Sequence, residues 1–290
     1  MLRGQVVCNG ATLCYRRIGA AGSDVVLIHG LATNHAFWRL NVLLSLAREH
    51  KVTLYDMRGH GYSSMPREGY TSEDMVRDLD GLLDHLGIHR AHLVGHSMGG
   101  VVALQYAISR PERLLSLTVA DSRLRTFQPT NYLADWPNWQ KAQEKLERLG
   151  INVPVDEPEA GIWLLEQIAM PKWHSQRDKL AGSPLGVPFG GWNGGQKTAE
   201  LWLKLLNETT ARADLATTGR MTCEMIATVQ QPAMVIYGEH SSTLRSFYGL
   251  QGCLPHCTDV LVPNGGHFFP LTQSEIFVNH VKQFLKTTED

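Results

Sequence analysis

The chain has 290 residues, 43% of them hydrophobic, and its 27 Lys and Arg stand against 28 Asp and Glu for a net charge of −1. That length and apolar content can bury a sizeable core without staples or metals, and the balanced charge offers no basic face for nucleic acid or an anionic membrane surface. No stretch approaches the roughly 18 apolar residues that a spanning helix needs, and Met1 to Gly10 has Arg3 but no apolar run after it, so no signal peptide is expected.

In chain order, residues 5–15 predict two short strands around Asn9-Gly10, a hairpin turn signal. Short apolar runs follow at Val25–Ile28, Val52–Tyr55, Ala91–Val94, Leu115–Ala120, Ala233–Tyr237 and Asp259–Val262. Unbroken runs of this kind suit strands buried on both faces, as in a parallel sheet. Helical spacing lies between them. Ser72 to Leu86 places Met75, Leu79, Leu82, Leu83 and Leu86 on one stripe, with acidic residues near its start. Ser97 to Arg110 is a second helix, closed by Pro111, and Ser274 to Leu285 is the last, with Ile276, Phe277, His280, Val281 and Phe284 on one side. Strand alternating with helix predicts the α/β class: a mostly parallel sheet with helices on both faces.

The alternation breaks from Ser122 to about Thr218. Helical patterns remain at Asn138–Leu149, Ala160–Met170 and Lys197–Asp214, beside a glycine-rich stretch from Gly186 to Gly195. Six of the seven tryptophans fall here: Trp136, Trp139, Trp163, Trp173, Trp192 and Trp202. This reads as a helical cap, about 122–218, inserted into one domain whose core is 1–121 and 219–290. Most of these tryptophans are expected to pack the cap on itself, and the rest to make an apolar pocket over the strand ends. The five cysteines are odd in number, in a chain too long to need staples, which predicts reduced thiols and a cytoplasmic protein. Cys253 and Cys257 flank His256, but no second ligand pair accompanies them, so no metal is expected.

The chemistry concentrates at Gly95-His96-Ser97-Met98-Gly99, a G-x-S-x-G run between a predicted strand and a predicted helix. Small residues around the serine let the backbone turn tightly and present the hydroxyl above the sheet edge, while the helix start supplies N–H groups and a positive dipole end. A serine hydroxyl is a poor nucleophile until a base takes its proton. After the last strand the chain reads Asn264-Gly265-Gly266-His267, where two glycines can carry His267 across the top of the sheet to serve as that base. An oxyanion needs backbone donors. The N–H of Met98, after the nucleophile, and that of Leu31, in the early loop His29-Gly30-Leu31, are the candidates. His29 is expected to be structural.

Together with Leu27-Ile28-His29-Gly30, Tyr55-Asp56-Met57-Arg58-Gly59-His60-Gly61 and Trp38, these motifs resemble the α/β-hydrolase fold superfamily, in its capped, cofactor-free branch. The resemblance covers nearly the whole chain outside the cap. It implies an eight-stranded, mostly parallel sheet, a Ser–acid–His triad in that chain order, and a site beneath the cap. The segment from Asp56 to Gly61 is a structural turn in such proteins.

One departure stands out. The family usually carries its acid as Gly, two residues, then Asp after the strand ending at Tyr237, and here the run is Gly238-Glu239-His240-Ser241. Asp121, at the end of the strand after the nucleophile helix, is one replacement, as in haloalkane dehalogenases, which resemble this chain and carry the acid on that earlier strand. Glu239 is the alternative, and a site with no acid is the third case. A serine nucleophile argues against dehalogenase or epoxide-hydrolase chemistry, which uses aspartate at the elbow. The expected activity is hydrolysis, through an acyl-enzyme, of a small or medium, largely apolar carboxylic ester or thioester. Lactone or carbon–carbon hydrolysis, a lyase, perhydrolase or cofactor-free oxygenase on the same triad, and a ligand receptor are the alternatives. The expected partner is a small-molecule substrate, without nucleic acid, membrane, cofactor or metal. The sequence does not give an oligomeric state.

Overall fold

Asn9 and Gly10 take positive φ, 45° and 73°, and turn β1 (Leu2–Cys8) onto β2 (Ala11–Ile18) with Cys8 opposite Ala11. This hairpin edges the sheet of a computed structural model that describes residues 1–38, 40–137, 139–172, 189 and 195–288. Trp173, Trp192 and, apart from Phe189 and Gly195, the glycine-rich stretch lie outside the described residues. The remaining strands are β3 (Asp24–Ile28), β4 (Lys51–Tyr55), β5 (Ala91–His96), β6 (Leu114–Ala120), β7 (Ala233–Gly238) and β8 (Cys257–Val262). The eight strands are ordered β1-β2-β4-β3-β5-β6-β7-β8; β2 meets β4 antiparallel and every pairing from β4 to β8 is parallel.

The buried strands carry apolar side chains on both faces because each face meets helices. Val25 and Leu27 of β3 point into one core layer and Val26 and Ile28 into the other. The first layer includes α1 (Leu40–Leu46) and α11 (Ser274–Thr287), through Val42, Phe277, Val281 and Leu285. The second includes α2 (Ser72–His85) and α3 (Met98–Ser109). A capping box between Thr71 and Asp74 starts α2, satisfying N–H groups that a helix start leaves free. Pro111 follows α3 and opens a short 3₁₀ turn, as a residue that cannot continue a helix.

Between β6 and β7 the described regular elements are helical: α4 (Trp139–Arg148), α5 (Ala160–Ala169), α6 (Gly195–Glu208), α7 (Ala211–Leu215) and α8 (Cys223–Ile226). The single helix expected over 197–214 is two. The Thr209 hydroxyl bonds back to the Leu205 carbonyl and accepts the Ala211 N–H, while the Thr210 N–H donates to the Arg67 carbonyl of the core, so the chain breaks at this threonine pair. After β7 come α9 (Leu244–Cys253) and the one-turn α10 (Phe269–Thr272). Among the described residues no helix is long and apolar enough to cross a membrane.

The cysteine expectation is corrected. Cys223, at the start of α8, and Cys253, at the end of α9, form a disulfide, leaving Cys8, Cys14 and Cys257 as thiols. The two residues lie 30 apart in sequence with Cα atoms 5.3 Å apart, so packing of α8 on α9 brings them together where sequence spacing gave no signal. The inference of a reducing compartment from five thiols goes with it, and Cys253 is no longer a free partner for Cys257.

Candidate active site

Parallel strands deliver their following loops to one edge of the sheet. Gly30 follows β3, Ser97 follows β5 and Asp121 follows β6, with His96 in register beside Ala120. The Ser97 N–H donates to the Ala120 carbonyl at 2.9 Å, and the Asp121 N–H to the Ile236 carbonyl at 3.0 Å. Both residues then turn out of the sheet with positive φ, 55° and 51°. A bulky side chain resists this left-handed region, and structures hold residues there when the site requires it. The close turn also needs Gly99: a Cβ on it would sit 2.2 Å from the Ile28 carbonyl oxygen.

His267 lies in the loop after β8. Its ring spans the two residues above, with Nε2 3.1 Å from Ser97 Oγ and Nδ1 2.7 Å from Asp121 Oδ1. A carboxylate can only accept, so Nδ1 carries the proton and Nε2 presents its lone pair to the serine hydroxyl. The loop is pinned from below by His96, whose Nε2–H donates to the His267 carbonyl at 2.8 Å. Burial, and then the neighbouring His267 charge, push His96 down to about 3, so it stays neutral as a fixed donor.

Asp121 is fully buried and heavily bonded. Its Oδ1 accepts from His267, from the Thr243 hydroxyl at 2.8 Å and from the Ser241 hydroxyl, and its Oδ2 accepts the Gly238 N–H at 2.9 Å. Burial alone would raise this carboxyl; hydrogen bonds from His267, Gly238 and Ser241, with the His267 charge, hold it below the ordinary aspartate value. Glu239 is not brought to the histidine. Its Oε2 accepts the Asn264 N–H at 2.9 Å on the exposed side of the turn.

Met98 opens α3, so its N–H has no intrahelical acceptor. Leu31 lines the same cavity as Met98, next to Gly30, where a Cβ would lie 2.9 Å from Ser97 Cβ and 3.2 Å from His96 Nδ1. Two buried histidines hold this early loop. His29 donates Nδ1–H to the Gly30 carbonyl at 2.8 Å and accepts the Met57 N–H on Nε2 at 3.0 Å. Burial, then the neighbouring His60, push His29 down to about 3. His60 donates Nδ1–H to the Arg58 carbonyl at 2.9 Å and receives the Ala32 N–H at 3.3 Å. Asp56 ties the adjoining turn by accepting from the N–H and Nδ1 of His35 and from the Tyr62 N–H.

A cavity of about 190 Å³ opens above Ser97. Its floor includes Leu31, Met98 and His267, and its opposite wall comes from the segment between β6 and β7: Trp136, Ile162, Leu164, Leu165, Ile168 and Leu215, with Arg123, Arg125, Asn131 and Glu159 among them. Of the described tryptophans there, Trp136 lines the cavity and Trp202 is buried in the core. Sequence reading did not find Ser241, Thr243 and His96 as supports of the site, nor Asn131, Arg123 and Arg125. The hydroxyl run Ser241-Ser242-Thr243, standing where an acid was expected, was the one available signal for the first two.

Comparison with known proteins agrees with this architecture. The family model described as alpha/beta hydrolase fold matches residues 25–147, from β3 through the elbow into α4. The chain is 35% identical over 111 residues to a putative carbamate hydrolase RutD of Azorhizobium caulinodans, covering 38% of this chain and 42% of that protein. It spans well under half the length of the carbamate-hydrolase relatives it matches in this way. Over 284 residues, 97% of this chain and 96% of the relative, it is 26% identical to 3-oxoadipate enol-lactonase 1 of Acinetobacter baylyi. Among solved structures, a thermophilic esterase from Thermogutta terrifontis superimposes with a TM-score of 0.71 at 21% identity over all of both chains. The enol-lactonase from Burkholderia xenovorans LB400 gives 0.69 at 22% over 98% of this chain and 100% of that one. With its sheet order, its strand–serine–helix turn and these likenesses, the chain has the α/β-hydrolase fold.

Proposed function

We propose that the protein is a serine hydrolase that cleaves a small or medium carboxylic ester or thioester through an acyl-enzyme, with Ser97 as nucleophile, His267 as base and Asp121 as acid. The observation that carries this reading is the His267 ring, bonded on one nitrogen to Ser97 and on the other to Asp121. In this reading Ser97 Oγ attacks the substrate carbonyl carbon while His267 Nε2 takes its proton. The negative oxygen that forms is met by the N–H groups of Met98 and Leu31. The intermediate collapses as His267 returns the proton to the leaving alcohol or thiol. Water, deprotonated by the same nitrogen, then releases the acid and restores Ser97. Asp121 keeps the proton on Nδ1 and stabilises the histidinium, without itself accepting a proton. The segment over residues 122–218, whose described elements are helical, acts as the cap in this reading, and its aliphatic wall favours an apolar acyl chain.

A lactone is the second reading, favoured by the near full-length likeness to an enol-lactonase. The same steps open a ring, with the alcohol remaining on the acyl group. Hydrolysis of p-nitrophenyl esters from acetate to decanoate, of matching thioesters and of a six-membered lactone tests both, run on wild type and Ser97→Ala beside fluorophosphonate labelling. Turnover and labelling that vanish in Ser97→Ala are expected. Turnover that survives the substitution, or an unlabelled wild type inert to every substrate, overturns the proposal.

A further inference from the structure

The cavity wall facing Ser97 is not uniformly apolar. Arg123 and Arg125 both bond to one carboxylate, Glu159, through contacts of 2.6 to 3.1 Å, so within the cavity lining two cations meet one anion, while the Glu157 carboxylate accepts the Glu159 N–H at 2.9 Å outside that lining. Burial would raise the Glu159 carboxyl, but the two guanidiniums hold it below the ordinary value, so that carboxylate stays ionised and the count stands. Glu159 directly precedes α5, a helix of ten residues whose start has no side-chain cap bond. The Ala160 N–H is used by the Asn131 carbonyl. The next two, of Gly161 and Ile162, donate to nothing among the described residues, and both residues line the cavity.

Asn131 supplies the independent observation. Its side-chain oxygen accepts from the Trp136 indole at 2.8 Å and from Gln128 Nε2 at 3.3 Å. An indole N–H can only donate, which fixes the amide orientation. The Asn131 Nδ2 group is therefore left with no acceptor among the described residues, on a side chain whose residue is only 7% exposed, in the cavity lining and 3.5 Å from where a Cβ on Gly161 would stand. A donor that no described protein group uses, on a nearly buried side chain in a cavity lining, is available to a ligand. A helix start, a fixed amide donor and a cationic pair converging on one patch are the chemistry of a carboxylate site.

We infer that this patch is a subsite for a carboxylate on the substrate's acyl chain, so that the preferred substrate is a half-ester, thioester or lactone of a dicarboxylic acid. The inference rests on the hydrolase reading above and names its substrate class. The aliphatic residues between Ser97 and the patch hold the methylene chain, the scissile carbonyl sits at Ser97, and the free carboxylate bonds to Asn131 Nδ2 and the Gly161 and Ile162 N–H groups, with Arg123 and Arg125 behind them.

The test compares p-nitrophenyl half-esters of succinic through suberic acid with neutral p-nitrophenyl butyrate through octanoate, matched in carbon count. Wild type is expected to prefer at least one half-ester over its neutral match by about ten-fold or more in kcat/KM. Asn131→Asp keeps an oxygen for Trp136 and replaces the donor by an anion, so the ratio of half-ester to neutral rate should fall below one. A turnover-free readout accompanies it: a dicarboxylate such as adipate should raise the melting temperature of wild type and Ser97→Ala but not of Asn131→Asp. Hydrolysis of neutral esters with no half-ester preference at any length overturns the subsite and leaves the hydrolase reading standing. Adipate stabilisation without hydrolysis of any ester supports the subsite and overturns the hydrolase reading. No adipate shift in wild type overturns the subsite.

Discussion

The Ser241 hydroxyl donates to the carboxylate of Asp121 across 120 residues of sequence, from the position where the family pattern places the acid to the position where this chain carries one. In the proposed mechanism the acid stands one strand over, at the end of β6 in place of the end of β7, and the hydroxyl at the usual position bonds to it. Asp121→Asn is expected to lower kcat by about 10³- to 10⁴-fold on p-nitrophenyl esters, since an amide cannot hold the reactive tautomer, whereas Glu239→Gln should change it little. Returning the acid to its usual place, in Asp121→Ser with Ser241→Asp, should recover about ten-fold or more over Asp121→Asn. Equal loss in Asp121→Asn and Glu239→Gln, with no rescue by the double variant, would remove Asp121 from the site.

The elbow and the histidine were legible because their chemistry needs small residues at fixed sequence offsets. Gly95 and Gly99 stand two residues either side of Ser97, and His267 follows two glycines after the last apolar run. The sheet was legible because strands covered on both faces must be apolar throughout. The sequence left two carboxylates open because the pairing of β6 with β7 governs what each can reach: Asp121 and Ser241 become neighbours only in three dimensions. The disulfide and the Asn131 amide were hidden for the same reason. Neither α8 packing on α9 nor the bridge between Asn131 and Glu159 has a local periodic signature. The break in the 197–214 helix was missed because the Thr210 N–H leaves the helix to meet Arg67, and propensity within the segment does not register that partner.

Gly30 marks how closely the early loop approaches the nucleophile. A methyl group there would press on Ser97 Cβ at 2.9 Å and on His96 Nδ1 at 3.2 Å, both held by bonds described above. The loop carrying Leu31 must retreat by a few tenths of an ångström, which in the proposed mechanism weakens donation to a developing oxyanion more than it weakens ground-state binding. Gly30→Ala is expected to lower kcat by about 10- to 100-fold with a smaller change in KM. A rise in KM at unchanged kcat would assign Gly30 to substrate entry instead.

The Cys223–Cys253 link closes a loop of 30 residues around β7 and much of α9. Loop closure of that length stabilises a folded chain by about 3 to 4 kcal/mol through the entropy of the unfolded state. Cys223→Ser with Cys253→Ser, or reduction of wild type, is expected to lower the melting temperature by about 5 to 10 °C. Neither cysteine lines the cavity, so room-temperature turnover should be nearly unchanged. Thermal scans with and without reductant check this, and superimposable scans would mean that the pair contributes nothing to stability.

Neutral His29 and His96 make the fold sensitive to mild acid. Both sit at about 3 in the folded chain, against about 6.5 for an exposed histidine, and burial is the main cause for each. Below about 6.5 the unfolded chain binds protons that the folded chain refuses. The stability these two residues confer is therefore complete above that pH and is lost progressively as pH falls toward 3. One pH unit is worth about 1.4 kcal/mol per group, so at pH 5 each histidine should have cost about 2 kcal/mol. Buried His60, lowered in the same direction, adds to the trend. Depressed Asp121 contributes only below the ordinary aspartate range, outside this window. Urea unfolding at pH 7.5 and pH 5 should show the drop. His96→Gln, whose amide reaches the position of Nε2 and can still donate to the His267 carbonyl, should remove about 2 kcal/mol of the difference between the two pH values. A difference unchanged in that variant would mean that His96 is as readily protonated in the folded chain as in the unfolded one.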